Sequence, residues 1–475
     1  MTLKSNLIMY LDKMGIDKSN KAIYIFSSVL NRLGVSRAIG YGVITRLWGV
    51  LAGPINIYLI ATRFSKVEQG YYYTFSSLLA LQVFFELGLI TVMAQFAAHE
   101  FAFLSWGDKG EISGKTIHQQ RFLDLLTKGV KWYAISAFLL IITIIPAGLY
   151  FFYRNSSSDL LGFSWRLPWV LAVIGVAVNL MLMPFYSVII GSGDVASVNR
   201  RQMMGGITGS FIGWIVIMSG GGLYAIPAVT LGSILIGIIY LLKTKSQLVS
   251  SVMIRISTDQ KNESSILWWQ EVWPMQWKVA LSWVSGYFIF QLFTPMIFKY
   301  HGPILAGKVG MTLTTVNAVQ AVSLMWLNTK SPKFGRYIAF RKWDELDREF
   351  HTVLKQAMIV CFFLSLIVTV VVYIMQQYDL LGSRFLPLKE VVIFLIAINV
   401  QICINGMAIY MRAHKKEPMV IFSLVGAFLV GISTIILGNK YSSIGMAIGF
   451  CLVQVFYGLP STYLCFKSFK KLYQR

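Results

Sequence analysis

The sequence predicts an all-α integral membrane protein with about twelve transmembrane helices, arranged as two six-helix bundles related by a pseudo-two-fold axis along the membrane normal. Three observations carry this. Of the 475 residues, 56% are hydrophobic and only 13% charged, where a soluble chain is about 25% charged, and the mean hydropathy is +0.64. Apolar runs recur that match the roughly 20 residues needed to cross a bilayer core. The basic residues sort by side: 32 of the 42 Lys and Arg fall in segments on the side of the termini and nine in the opposite loops. The formal charge of +22 would suggest nucleic acid in a soluble chain. Here its one-sided distribution is a topological signal that places both termini in the cytoplasm.

The elements follow in order. Residues 1–37 are basic and form no apolar h-region, so no cleavable signal peptide is expected. Within them Ile23, Phe26, Val29, Leu30 and Leu33 share one helical face, the pattern of an interfacial helix lying on the membrane. Spans are expected at 38–62, 71–98, 131–153, 167–190, 203–219 and 222–242, forming an N-terminal bundle over 38–242. A cytoplasmic linker covers 243–272. Spans at 273–299, 303–328, 352–375, 387–411, 419–437 and 442–466 form a C-terminal bundle over 273–466, and 467–475 is a cytoplasmic tail. Ser219-Gly220-Gly221-Gly222 and His301-Gly302-Pro303 supply tight turns. Pro54, Pro146, Pro184, Pro227 and Pro295 predict kinks. The stretch starting at Gly70 after the first span faintly repeats at Gly307 after the seventh, and the one at Leu223 repeats at Gly445. Six spans per half give both halves the same orientation, with the substrate path between them near the midplane.

The first two spans each hold a charge at a costly depth, Arg46 and Glu86. A mid-membrane charge costs about 2.5–3.5 kcal/mol on insertion scales and faces a partner or a wet cavity. Counted along antiparallel helices, the two lie about 12 and 18 Å from the same face. They are expected either to pair or to line one polar cavity, a packing ion pair being the plainer reading. Amides recur within spans at Gln82, Asn179, Gln291, Asn317, Gln320, Asn399, Asn405 and Gln454. Each singly is more often a helix–helix hydrogen bond. Asn179, Gln291 and Asn317 lie nearest the expected midplane and rank first as substrate contacts.

Other patterns yield plain readings. Gly110-Glu-Ile-Ser-Gly-Lys-Thr116 is one residue short of a phosphate loop and follows no strand, so it reads as a loop. His99, Glu100 and His118 read as solvated edge, and Lys278 as snorkelling to the headgroups. The acidic residues of 344–349 alternate with basic ones on a solvated helix face. The cysteines, Cys361, Cys403, Cys451 and Cys465, lack CxxC spacing and read as packing residues. There are no paired carboxylates, no Ser/His/Asp pattern, no metal cluster and no cofactor motif. The short outer loops leave no room for the catalytic domain of a glycan polymerase or glycosyltransferase.

Phe64-Ser-Lys-Val-Glu-Gln-Gly-Tyr-Tyr-Tyr-Thr-Phe75, then Phe85-Glu-Leu-Gly-Leu89 with Gln95-Phe-Ala-Ala98, and Ser331-Pro-Lys-Phe-Gly335 resemble motifs of the bacterial polysaccharide flippases. That family, whose substrates are O-antigen, capsule and exopolysaccharide units, belongs to the multidrug/oligosaccharidyl-lipid/polysaccharide exporter superfamily. The resemblance implies a V-shaped pair of bundles in the bacterial inner membrane working by alternating access. It implies no enzyme activity, but movement of an undecaprenyl-diphosphate-linked oligosaccharide from the cytoplasmic to the outer leaflet. A proton or sodium ion as coupling ion, and polysaccharide polymerase and assembly proteins as partners, are implied with it. In that setting Arg46 is the candidate diphosphate or sugar-acid contact, and Glu86 matches the acidic motif position. The alternative within the superfamily is a cation-coupled exporter of small drug-like molecules.

Overall fold

The structure, a computed structural model, describes residues 37–155, 162–258, 266–378, 380–414 and 418–473. The interfacial helix expected before residue 37 lies outside them. The near side is the one where the first helix begins at Arg37 and the last ends at Tyr473. The far side is opposite.

The first half holds α1 (Arg37–Arg63), α2 (Lys66–Glu86), α3 (Leu89–Phe101), α4 (Thr116–Asn155), α5 (Arg166–Gly191), α6 (Val195–Met218) and α7 (Ala225–Thr244). A two-stranded hairpin pairs β1 (Leu104–Trp106) with β2 (Ile112–Gly114). β1 precedes and β2 lies within the stretch 110–116 that imitates a phosphate loop, so the expectation of a plain loop following no strand is corrected. The short α8 (Ser246–Thr258) leads to the second half. That half contains α9 (Trp268–Phe290), α10 (Phe293–His301), α11 (Pro303–Ala339), α12 (Trp343–Gln377), α13 (Leu388–Ala413), α14 (Val420–Leu452) and α15 (Leu459–Tyr473). Among the described residues seven helical stretches are long and apolar enough to cross a membrane, and nine when each bent pair, α2 with α3 and α9 with α10, counts once. The spans expected at 203–219 and 303–328 are present as α6 and α11, long helices with more polar sequences.

The stretch from α14 to α15 is two spans. Ser442 leaves the helical region at φ 59° and ψ −149°. A Cβ placed on Gly449 would lie 3.1 Å from Ser433 Cβ, and one on Gly445 would lie 2.3 Å from the Leu437 carbonyl oxygen. Sixteen residues span about 24 Å in a straight helix, so contact between 433 and 449 requires the chain to fold back. The α6–α7 hairpin closes in the same way, through Gly209 against the Val229 carbonyl.

The halves repeat in their packing. α1 lies on α6, α4 on α5, α3 on α5 and α7 on α5. In the second half α9 lies on α14, α12 on α13, α11 on α13 and α15 on α13. Position for position these are the same four pairings. The repeat seen faintly in sequence is thus a repeat of packing partners.

Both bent spans have a local cause. In the first, Leu87 and Gly88 both take left-handed backbone conformations (φ 51° and 63°), which costs a non-glycine residue roughly 1–2 kcal/mol. Gly88 is needed twice over, because a Cβ there would also lie 2.6 Å from Val279 of α9. The bend is 41°. In the second, Pro295 has no N–H to offer the carbonyl four residues earlier, that of Gln291. The helix breaks there by 42°. The other prolines fall differently: Pro54, Pro146 and Pro184 sit inside unbroken helices, and Pro227 lies in the first turn of α7, where a missing N–H has no partner to lose.

The halves meet at the far side where α2 and α11 begin. A Cβ on Gly70 would stand 1.9 Å from the Pro303 carbonyl oxygen, and one on Gly307 2.9 Å from Gly70 N. The two glycines aligned by the sequence repeat are therefore in contact with each other. Gly70→Val should separate α2 from α11 and destabilise this closed arrangement by about 1–3 kcal/mol, the usual cost of overpacking. Spin-label distances between the far-side ends of α2 and α11 should lengthen in the variant.

Candidate functional site: a closed far side and a near-side cavity

The far-side contact carries a polar clasp. Arg384, in the 3-10 turn Gly382–Arg384 ahead of α13, donates to the Phe64 carbonyl at 2.6 Å and to Gln69 Oε1 at 3.2 Å. Gln69, 1% exposed, donates in turn to the Gly307 carbonyl at 2.9 Å and the Arg384 carbonyl at 3.1 Å. Gln69 is held at this point because Ser65 and Glu68 form a capping box that fixes the start of α2. Burial pulls the Arg384 guanidinium below its ordinary value, and the Glu68 carboxylate opposes that shift. As guanidinium it stays charged at any physiological pH.

On the near side the halves touch along one flank. Arg121 of α4 donates to Glu100 of α3 and to Glu271 of α9, both at 2.8 Å. His118 meets Glu100 at 2.7 Å. The sequence reading of Glu100 and His118 as solvated edge is therefore corrected: Glu100 is 8% exposed and holds Arg121, which joins the two halves through Glu271. A side chain next to the membrane that carries two charge-assisted hydrogen bonds is structural.

Beyond that flank lies a cavity of about 1410 Å³. It is bounded on the first half by Thr91, Gln95 and His99 of α3, and on the second by Lys278 and Trp283 of α9, Arg412 of α13 and Ile421 of α14. All are near-side positions. Among the described residues its cations are Lys278 and Arg412, with the His99 imidazole beside them, and no carboxylate lines it. Lys278 was expected to snorkel to the headgroups. It borders this cavity instead, because the break at Gln291 and the packing of α9 on α3 turn that face inward.

The five residues ranked by sequence are scattered. Arg46 is exposed on α1, whose Trp48 packs on Phe211 and Trp214 of α6. Two residues of helix turn about 200°, so Arg46 points away from α6. Glu86 is 9% exposed and ends α2 at the bend. Among the described residues no ion pair joins Glu86 to Arg46. Depth along the helices matched, but depth does not fix which way a side chain faces. Glu86 instead lies on the α4 side, where it interacts electrostatically with Tyr133. Gln291 closes α9 at the second bend. The two bends touch through Phe84, whose ring lies 5.5 Å from Tyr287 and 6.0 Å from Phe288. Asn179 on α5 has a buried Oδ1 with no hydrogen-bond partner. Asn317 on α11 borders a small aromatic void with Phe290, Phe293, Phe394 and Phe450. None of the five lines the near-side cavity.

Sequence reasoning missed Gln69 and Arg384 as a pair, and Lys278 and Arg412 as cavity residues. Gln69 and Gly70 stood inside the quoted motif. Lys278 and Arg412 were visible only as charges at span ends, which are ordinary.

No protein-family model matches the sequence, and no curated protein matches it. Solved structures do match in fold. The lipid II flippase MurJ, in an inward closed conformation, is similar with a TM-score of 0.59 at 13% identity over 91% of this chain and 90% of that one. A MOP superfamily transporter from Pyrococcus furiosus, described as having a binding pocket of reversed polarity, gives 0.54 at 12% over 92% and 94%. An outward-facing multidrug resistance MATE family transporter of the same superfamily gives 0.52 at 12% over 91% and 95%. At such identities the likeness establishes the two-lobed helical fold of these membrane transporters.

Replacing the buried carboxylate tests its role. Glu86→Gln should raise the unfolding temperature, since a desolvated carboxylate with no cationic partner among the described residues costs on the order of 1–3 kcal/mol. The charge swap Arg46→Glu with Glu86→Arg should fold no better than the worse single variant in the same thermal scan.

Proposed function

We propose that this chain moves an undecaprenyl-diphosphate-linked oligosaccharide from the cytoplasmic to the outer leaflet of a bacterial inner membrane, by alternating access and without enzymatic chemistry. The cavity at the near side carries the reading. It presents Lys278 and Arg412, with His99 and, among the described residues, no carboxylate, beside apolar groups such as Trp283 and Ile421. That combination suits an anionic headgroup attached to a lipid, and it disfavours a lipophilic cation. The basic bias of the near side makes it the cytoplasmic face. The closed far side then corresponds to a state loaded from the cytoplasm. A fold shared with a lipid II flippase supports the reading. Surface-polysaccharide units, of the O-antigen, lipopolysaccharide or exopolysaccharide kind, are the substrate class indicated by the motif resemblance. The polymerase and assembly proteins that use them are the implied partners.

Lys278 and Arg412 hold the diphosphate. Release of the Gln69–Arg384 clasp opens the far side, with the bends at Gly88 and Gln291 as hinges. Arg46 on α1, together with Asn179, Gln291 and Asn317, is proposed to meet the sugars as the halves rearrange. Glu86 favours a second reading. A buried carboxylate with no cationic partner among the described residues is the kind of group a proton- or sodium-coupled exporter of small molecules would use, and a MATE exporter shares the fold.

Two assays separate these. In cells lacking the protein, lipid-linked repeat units should accumulate on the cytoplasmic side, and the wild type should clear them. Lys278→Ala and Arg412→Ala should each lower the clearance rate about tenfold, the loss of one charge-assisted contact to phosphate. Normal surface glycan without accumulation, together with ion-driven efflux of cationic dyes that Glu86→Gln abolishes, would replace the flippase reading with the exporter.

A further inference from the structure

The second half contains a chamber that the proposed path does not use. It lies inside the bundle, between α9, α13, α14 and α15, and has a volume of about 190 Å³. At about 30 Å³ per water this is room for roughly six waters, below the ~300 Å³ at which drug-sized pockets begin. Its walls are unusually polar for a membrane bundle. Ser285 comes from α9, Gln401 and Asn405 from α13, Ser423 from α14, and Gln454 and Thr462 from the last span. Among the described residues no carboxylate lines it.

Two further observations show a built site rather than a packing fault. Gln401 is 6% exposed, and its Oε1 has no hydrogen-bond partner. A buried acceptor left open in a hydrocarbon setting is expensive, and such groups are ordinarily satisfied. The chain between α14 and α15 widens into a π-helical turn over Val453–Gly458. Such turns are rare and concentrate at functional sites. This one brings Gln454, Tyr457 and Gly458 to the same chamber wall. Arg412 borders both the chamber and the near-side cavity, so the two share a wall.

We infer that this chamber binds one pyranose ring of the substrate's glycan. Amides and hydroxyls that both donate and accept match the alternating hydroxyl groups of a sugar. Hard cations, by contrast, are held chiefly by carboxylate and carbonyl oxygens. The volume admits one ring and excludes a chain of them. The chamber thereby reads a single residue of the glycan while the rest remains in the larger cavity. This inference rests on the proposed function for its biological setting, and on the chamber alone for its chemistry.

Saturation-transfer NMR on the full chain in nanodiscs tests it, with neutral hexoses, N-acetylhexosamines and hexuronic acids as separate probes. One class should receive saturation from the wild type. Gln401→Leu should weaken its binding about tenfold, the loss of one well-placed buried hydrogen bond. Gly286→Leu guards against misfolding as an explanation. A Cβ at Gly286 meets nothing within 4 Å, so the new side chain fills the chamber without displacing its wall, and binding should vanish while the unfolding temperature holds. Transfer to no monosaccharide, transfer that survives both variants, or occupation by sodium ion in place of sugar overturns the inference. The readout is monosaccharide binding and not transport. Its failure therefore leaves lipid-linked transport standing, and pyranose binding by a chain that clears no lipid-linked units would separate the two the other way.

Discussion

Everything in this molecule depends on how closely two helices approach at the far side. Gly70 and Gly307 allow α2 and α11 to meet backbone to backbone, at a separation that a single methyl group on Gly70 would forbid. In a membrane no hydrophobic force draws helices together, because lipid is as apolar as leucine. Close packing and interhelical hydrogen bonds must do it. The glycines give the packing, and Gln69 and Arg384 give the hydrogen bonds. With that end pinned, the divergence of the two halves toward the near side becomes the cavity.

The bends convert this pinned contact into shape. A straight α2 and a straight α9 would carry one register from face to face. The breaks at Leu87-Gly88 and at Gln291 let the near-side segments lean independently of the far-side ones. They achieve it by different chemistry, left-handed backbone in one half and a proline's missing N–H in the other. The halves thus match in packing partners while differing in how each bend is made.

Charge is distributed to match. Within the spans the carboxylate Glu86 is buried at one bend, whereas the cations of the cavity come from the near-side parts of α9 and α13. Cations at span ends avoid the cost of burial at the midplane, and they still face the cavity because the halves diverge there. The second half, which shows no basic residue deep in its spans, therefore supplies both Lys278 and Arg412.

The sequence by itself determined the class, the helix count and the repeat, because each rests on quantities that are local and additive. Twenty apolar residues are read without knowing their neighbours, the sidedness of Lys and Arg needs only the order of the spans, and Gly70 and Gly307 stand at equivalent points of two equal halves. Even the kink at Pro295 follows from one missing N–H. Tertiary structure alone decided the site. Arg46 and Glu86 share a depth, but rotation about the helix axis sends one outward, on the side opposite Trp48, and the other toward Tyr133. Lys278 and Arg412 are far apart in the chain and unremarkable as residues at span ends. They come to line one cavity only because packing turns α9 and α13 toward the same space. Periodicity fixes which residues share a face of one helix. Which faces of different helices look at one another is set by packing between segments distant in sequence, and that is where the cavity, the clasp and the chamber are made.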